Sequence, residues 1–425
     1  MSSKQISRRK FIHNGLVVGE AAALAMWGGQ HVLAEGQPLI TEKPKEGKTY
    51  KLGIIGCGNR SKFHINCLNH ISEIQISALC DIVPHKMDQR AELIEKGPVP
   101  RKYTEIEKML DQQDLDAVAV VLPNHLHKMA TIAALEAGKH VLCEKPMALT
   151  VADCNEMIAV SKQKRKAIQI GTQRRHSECW KTVVQTIRNA SLGLILSSDI
   201  NSCRGDWRFP EPDEYPSGVP YWRMDQAKCG GVVYEMGAHT IDVNNWIFDS
   251  EPVTVVSLQG VNDHALRPRD SYDHAGVLVR YANDALMNFD GNLYNYGPAP
   301  SNQFYYVNGT VWLEDDKKLE IRYAKLRSTD SSKPKLSRDD GTVDQYTQFK
   351  KELASQKPLH EPINLELTPD NGTTNQWAHF AKVLAGQADP YPNGYTGRQS
   401  IQICQGAVVS AKEKTIVNVK DLDSV

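Results

Sequence analysis

The sequence predicts a two-part α/β chain. The first part is a doubly wound parallel sheet, and the second is an α+β unit on an open, mainly antiparallel sheet. Three observations predict it. From Tyr50 to about residue 172, short apolar runs alternate with helical patterns, the grammar of βαβ units. The first run ends in a glycine turn, Gly56-Cys57-Gly58, that opens a helical pattern. Beyond residue 172, β-rich stretches follow one another with only turn residues between them, which argues for antiparallel pairing.

The elements run as follows. Residues 1–35 carry Ser7-Arg8-Arg9-Lys10-Phe11-Ile12, an apolar stretch interrupted by Glu20, and small residues at Val32-Leu33-Ala34. This resembles a twin-arginine export signal, an address rather than a fold element, and it implies a periplasmic protein. The apolar stretch is too short and broken to make a stable membrane anchor. Residues 36–49 are polar with proline and glycine, and read as a linker. In 50–172 the strands "YKLGIIG", "IQISALCD", "LDAVAVVLP", "KHVLCEKP" and "IQIGTQ" alternate with helices, among them "PHKMDQRAELIEK" over 84–96. In 173–425 come "ILSSDINSCRGD", "VTVVSLQGVN", "AGVLVRYAND", "ALMNFDGNLYN" and "QFYYVNGTVWLEDD", then an exposed loop over 328–345 and two closing helical patterns.

Composition excludes several classes. Lysine plus arginine equals aspartate plus glutamate, 50 against 50 in 425 residues, so no global field favours nucleic acid or anionic lipid. Nine cysteines stand singly with no C-x-x-C pair, which argues against a disulfide framework or a metal site.

Gly56-x-Gly58-x-x-Ser61 after a strand and before a helix suits a dinucleotide pyrophosphate, whose charge meets backbone amides at the helix N-terminus. Asn59 and Arg60 lie in the same turn. The second strand ends in Asp81, 23 residues beyond Gly58. A carboxylate there accepts from the adenosine ribose hydroxyls and repels a 2′-phosphate, so NAD is expected rather than NADP. Residues 50–172 therefore read as a Rossmann domain. The next strands end in Pro123-Asn124-His125 and Glu144-Lys145-Pro146. Ligands in such sheets sit outside the carboxyl ends of the strands, so Pro123, Asn124, His125, Glu144 and Lys145 converge on one crevice and are expected at the cofactor. Lysine there can hold a hydroxyl oxygen.

A second cluster is Glu235, His239 and Asp242, spaced i, i+4, i+7 on one face of a predicted helix. The spacing alone is compatible with a metal site, a polar core network or a base delivered to the crevice. Tyr221, Trp222 and Arg223 precede that helix, and Asp206-Trp207-Arg208 lie in a loop. Both groups can offer stacking and hydrogen bonds to a carbohydrate, and Asp242, Trp222 and Arg223 are expected at the substrate.

Taken in order and spacing, "GIIGCGNRSKFH", "LPNHLHKMATIAALEAGKHVLCEKPMALT" and "GGVVYEMGAHTIDVNNW" resemble the glucose–fructose oxidoreductase / inositol dehydrogenase (Gfo/Idh/MocA) family. The resemblance implies a nicotinamide-dependent oxidoreductase acting on a sugar, polyol or glycoside hydroxyl, and a dimer or tetramer. It gives Lys145 and His239 the catalytic roles, with Glu235 beside them as the acid; no metal is expected. Glu235 stands where many members have aspartate, so an acid is kept with a longer reach. Ser61 in place of the third glycine is a second departure.

Export adds a constraint. No free nicotinamide pool is expected outside the cytoplasm, so the cofactor should be tightly bound and regenerated in place. Two schemes satisfy this: an oxidoreductase that alternates substrates, and a redox-neutral NAD-dependent glycosidase or lyase. A non-catalytic sugar-binding relative on the same scaffold is a separate reading from another class.

Overall fold

The computed structural model describes residues 48–203, 205, 221–262, 269–293, 301–314, 316–324 and 360–424. Residues 1–47, expected to hold an export signal and most of a linker, Asp206-Trp207-Arg208, and residues 328–345, expected to form an exposed loop, lie outside the described residues.

Six strands make the first sheet: β1 (Tyr50–Ile55), β2 (Ile74–Cys80), β3 (Arg101–Tyr103), β4 (Ala117–Val120), β5 (His140–Cys143) and β6 (Ile168–Ile170). All pair in parallel, in the order β3-β2-β1-β4-β5-β6. The order reverses between β1 and β4, which opens a crevice at the strands' carboxyl ends. Strand β4, Ala-Val-Ala-Val, is buried at every position, as expected when helices cover both faces. The intervening helices are α1 (Asn59–Leu68), α2 (Pro84–Ala91), α3 (Ile106–Leu110), α4 (His127–Glu136) and α5 (Val151–Lys164). Helix α2 stops at Ala91, short of the predicted 84–96. The reason is Asn69: its amide donates to the Leu93 carbonyl at 2.9 Å and its oxygen accepts from the Glu95 amide at 3.2 Å. These bonds replace the helical ladder.

The second sheet holds β7 (Ile195–Cys203), β8 (Pro252–Gly260), β9 (His274–Tyr281), β10 (Leu286–Asn292), β11 (Ser301–Tyr306), β12 (Gly309–Glu314), β13 (Lys318–Tyr323), β14 (Ile363–Glu366) and β15 (Val417–Asn418). Its order is β14-β13-β12-β11-β7-β10-β9-β8-β15, and only β7 with β10 is parallel. Helices α6 (Glu178–Asn189), α7 (Ala238–Phe248) and α9 (Gly394–Glu413) bury one face of it, with Ile241, Val243 and Ile403 packed among Val277, Phe289 and Phe304. The other face is open and carries exposed Leu196, Val256, Leu258, Leu278, Leu286 and Trp312.

Helix α8 (Thr373–Leu384) returns to the first sheet. Trp377 and Phe380 share a core with Leu52, Ile54, Ile65 and Ile76. Residues more than 200 positions beyond residue 172 thus complete the core of the first layer. The nine cysteines all remain free thiols, most of them buried.

Candidate active site

Gly56 has φ +97°, and a Cβ there would lie 2.3 Å from the Val121 carbonyl oxygen, so only glycine fits the turn. At Gly58 a Cβ would meet nothing within 4 Å, and no side chain caps the N-terminus of α1. Open space over uncapped helix amides fits a pyrophosphate. Asp81 closes the other side: Oδ2 accepts from the Cys57 amide at 2.7 Å and Oδ1 from the Val83 amide at 2.9 Å. Each oxygen keeps a lone pair for a ribose hydroxyl. Ser61 is fully buried, donates to the Gly58 carbonyl at 2.6 Å and accepts from Arg90 Nε at 3.1 Å. The missing third glycine is accommodated by these bonds. The residues present therefore fit a dinucleotide.

Glu144, expected at the cofactor, is turned inward. Its Oε1 accepts from Arg60 Nε at 2.7 Å and from His64 Nε2 at 2.8 Å. Trp377 Nε1 donates to His64 Nδ1 at 3.0 Å, which fixes the neutral tautomer with its proton on Nε2. Burial opposes ionisation of Glu144, but Arg60 and His64 hold its carboxyl well below the usual carboxylate range. Arg60 is thereby held by Glu144 beside the glycine turn. His127 bridges the Pro146 carbonyl at 2.6 Å and the Leu122 carbonyl at 2.8 Å, joining the ends of β4 and β5. Pro123 begins the single turn Asn124–Leu126, and His125 carries a buried Nδ1 without a partner.

Lys145 projects from the end of β5, and its Nζ donates to the Glu235 carbonyl at 3.0 Å. Burial lowers its affinity for a proton against the pull of Glu235 and Glu144. That carbonyl belongs to a π-helical turn, Val233–Gly237, leading directly into α7. The π turn corrects one expectation: Glu235, His239 and Asp242 do not share a single α-helical face, because the wider turn rotates Glu235 out of phase with α7. The Glu235 carboxylate accepts from Asn124 Nδ2 at 2.7 Å and from Arg223 Nε at 2.6 Å. With Arg223 and Asn124 engaged and burial overcome, it stays ionised below the usual range. A carboxylate held at both oxygens is a positioning group rather than a free proton carrier. Asn124 also donates to the Cys229 carbonyl at 2.8 Å, so its amide joins the two layers.

His239 sits in the first turn of α7. Its Nδ1 is buried without a partner. Burial, then the charges of Lys145 and Arg174, hold the imidazole well below its ordinary value. Asp242, expected at the substrate, is fully buried against Arg175: Oδ2 accepts from Arg175 Nε at 2.9 Å and its carbonyl accepts from Nη2 at 3.0 Å. Trp222 and Arg223 stack, with the guanidinium carbon 4.4 Å from the indole centroid, and Arg223 also donates to the Tyr221 hydroxyl at 2.6 Å.

Sequence reasoning missed His64, Arg90, Arg174, Arg175 and Trp377. The one available signal was the basic run Gln173-Arg174-Arg175-His176, which follows β6 and so opens on the crevice.

Two family models match the chain: an oxidoreductase family, NAD-binding Rossmann fold, over residues 50–172, and a GFO/IDH/MocA C-terminal domain over 180–311. Together they cover more than half of the 425 residues. The chain belongs to the Gfo/Idh/MocA oxidoreductase family. Among Gfo/Idh/MocA relatives it is 29% identical over 212 residues to inositol 2-dehydrogenase of Salmonella paratyphi B, covering 49% of this chain and 57% of that protein. It is 27% identical over 243 residues to myo-inositol 2-dehydrogenase of Thermotoga maritima, covering 57% of this chain and 68% of that protein. The match thus spans little more than half the length of the Salmonella relative. In fold it resembles the aldose–aldose oxidoreductase of Caulobacter crescentus, solved with glycerol, with TM-score 0.68 and 20% identity over 87% of this chain and all of that one.

Proposed function

We propose that this member of the Gfo/Idh/MocA family oxidises a hydroxyl of a sugar, polyol or glycoside on a tightly held NAD. The observation that carries the reading is the Lys145 bond to the Glu235 carbonyl. It ties the lysine at the end of β5 to the turn that leads into the helix of His239, and the Lys145 charge acts on that imidazole.

The nicotinamide supplies the hydride acceptor. Gly56, Gly58, Asn59 and Arg60 would hold the pyrophosphate end, Asp81 the ribose, and Pro123, Asn124 and His125 the wall beyond. His239 takes the hydroxyl proton on Nε2, as a base kept neutral by its surroundings. Lys145, with hydrogens left beyond the one donated to Glu235, stabilises the developing alkoxide. The stacked Arg223 and Trp222 would form one wall of the ring site, with Arg223 held by Tyr221 and by Glu235, which also holds Asn124 in place. Asp81 favours NAD over NADP through its carboxylate charge.

Export by the twin-arginine route to the periplasm is part of the proposal, supported by Arg8-Arg9 and the residues around them. So is assembly into a homo-oligomer, supported by the exposed apolar patch on the open sheet. The chain is purified from its native compartment, denatured, and the released nucleotide identified. About one NAD(H) per chain is expected. No nucleotide, with micromolar or weaker affinity for added NAD, overturns the tight-cofactor proposal. Lys145→Ala should retain nucleotide and sugar binding while abolishing turnover; unchanged function in that variant would favour a sugar-binding protein. Net change in nucleotide redox state with each turnover separates simple oxidation from a redox-neutral glycosidase or lyase cycle.

A further inference from the structure

A group of buried polar atoms beyond Lys145 is not used by the chemistry above. Strand β6 is the edge strand next to β5, on the side away from the glycine turn. Three strand spacings separate β1 from β6, about 14 Å, so the turn after β6 faces the substrate end of the crevice and not the pyrophosphate end. That turn is Thr172 followed by Gln173–His176. It is fastened to the helix of His239 through the Arg175–Asp242 pair.

Arg174, next in the chain to Arg175, is half-buried with its guanidinium carbon 5.3 Å from the Trp180 ring centroid. Among the described residues its side chain makes no hydrogen bond and no ion pair, while its carbonyl accepts from the Ser177 amide at 3.1 Å. Four buried polar atoms without partners belong to the same turn and the facing helix: Thr172 Oγ1, Gln173 Oε1, His239 Nδ1 and Asp242 Oδ1. Thr172 is only 3% exposed and Asp242 is fully buried. Such atoms cost free energy unless something bonds to them. The acids around the crevice are already matched, Glu144 with Arg60, Glu235 with Arg223 and Asp242 with Arg175. Arg174 has no such acid.

We propose that the substrate is an acidic sugar whose anionic group, foremost a carboxylate, is bound by Arg174 with Thr172 and Gln173. The inference rests on the carbohydrate reading above and names the class of sugar. A guanidinium presents a planar fork that matches a carboxylate through two parallel bonds. The Thr172 hydroxyl is a free donor, and the Gln173 amide becomes one by rotating about its last bond. Asp242 Oδ1 is left to accept from a neighbouring hydroxyl, its charge compensated by Arg175. Arg174 also acts on His239, together with Lys145, Arg60 and the opposing charge of Glu144. An anion seated on Arg174 offsets part of that field and strengthens the base when the right substrate is bound.

The test uses the nucleotide-loaded enzyme and matched pairs of methyl hexopyranosides and their hexuronic acids in the gluco, galacto and manno series, with the 6-phosphates and 6-sulfates as further arms. Binding is measured by calorimetry, and turnover by absorbance of the bound nicotinamide. The wild type should favour a charged sugar over its neutral partner by about 10- to 100-fold. Arg174→Gln should erase that preference and Arg174→Lys should restore part of it, with nucleotide content showing that both variants fold. A phosphate or sulfate binding more tightly than the carboxylate supports Arg174 as the anion site and identifies the anion. Neutral sugars bound as well as acidic ones, no binding by any charged member, or an unchanged preference in Arg174→Gln overturns the proposal. Reduction of the nucleotide by a neutral sugar alone would overturn it while leaving the oxidoreductase reading in place. An enzyme without nucleotide would sink that reading, while calorimetry would still score the anion preference.

Discussion

Arg175→Met removes the cation from a pair whose side chains are only 4% and 1% exposed. Leaving a buried charge without its partner costs about 3–5 kcal/mol. The size depends on pH, because burial already raises the Asp242 carboxyl above its ordinary value with Arg175 present. Without Arg175 it rises further. A carboxyl raised in the folded state gives its full stability below the unfolded value of about 3.9, and that stability is lost as pH rises through the folded value. Each pH unit in that window is worth about 1.4 kcal/mol. The deficit of the variant is therefore largest near neutral pH and shrinks on acidification. Arg175 also donates to the Asp242 carbonyl and, at 3.0 Å, to the Tyr391 hydroxyl. Losing those bonds leaves about 1–2 kcal/mol that does not vary with pH. Urea unfolding by tryptophan fluorescence, at fixed nucleotide and at about pH 5 and about pH 8, measures both parts. Arg175→Met combined with Asp242→Asn should retain only the constant part. A deficit equal at the two pH values, or a double variant as pH-sensitive as the single one, refutes the reasoning.

Gly58→Ala should leave unfolding within about 1 kcal/mol of wild type but reduce nucleotide content at least about tenfold, since the added methyl enters only the space over α1. Gly56→Ala should destabilise by more than about 2 kcal/mol, from the positive φ and the clash with Val121; the same denaturation series compares the two. The acid limb of kcat/KM should lie below the ordinary histidine value of about 6.5, because His239 must be neutral to act and its surroundings hold its proton affinity down. A limb at or above that value would argue against His239 as the base, and Arg174→Gln should move it upward. Leu278→Lys on the open sheet should shift light-scattering mass toward the monomer with nucleotide content unchanged; an unaltered mass would place the interface elsewhere.

The parallel sheet, the glycine turn and the strand-end residues Asp81, Asn124 and Lys145 were legible because their signals are local. A short apolar run, a turn residue and a polar terminus all lie within a few positions of each other. The partners of those residues were not legible. His64 meets Trp377 across 313 positions and Arg175 meets Asp242 across 67, and nothing in residue type or period marks such pairs. The inward turn of Glu144 follows from those distant partners. The π turn was hidden for another reason: one extra residue in a helical turn leaves the apolar pattern readable as ordinary helix, so i, i+4 and i+7 spacing overstated how Glu235 aligns with His239. Helix α2 ended early because Asn69, at the end of α1, captures the chain after Ala91.

Helix α8 has a consequence for the order in which the molecule can be made. Trp377 and Phe380 fill the core beneath β1 and lock the ring of His64, yet they leave the ribosome long after the glycine turn they support. The nucleotide crevice is therefore finished only when nearly the whole chain has been synthesised. A fragment cut at residue 172 would present Leu52, Ile54 and Ile76 to water on the side α8 covers. The cofactor half is thus no portable module, and loading belongs to the completed chain.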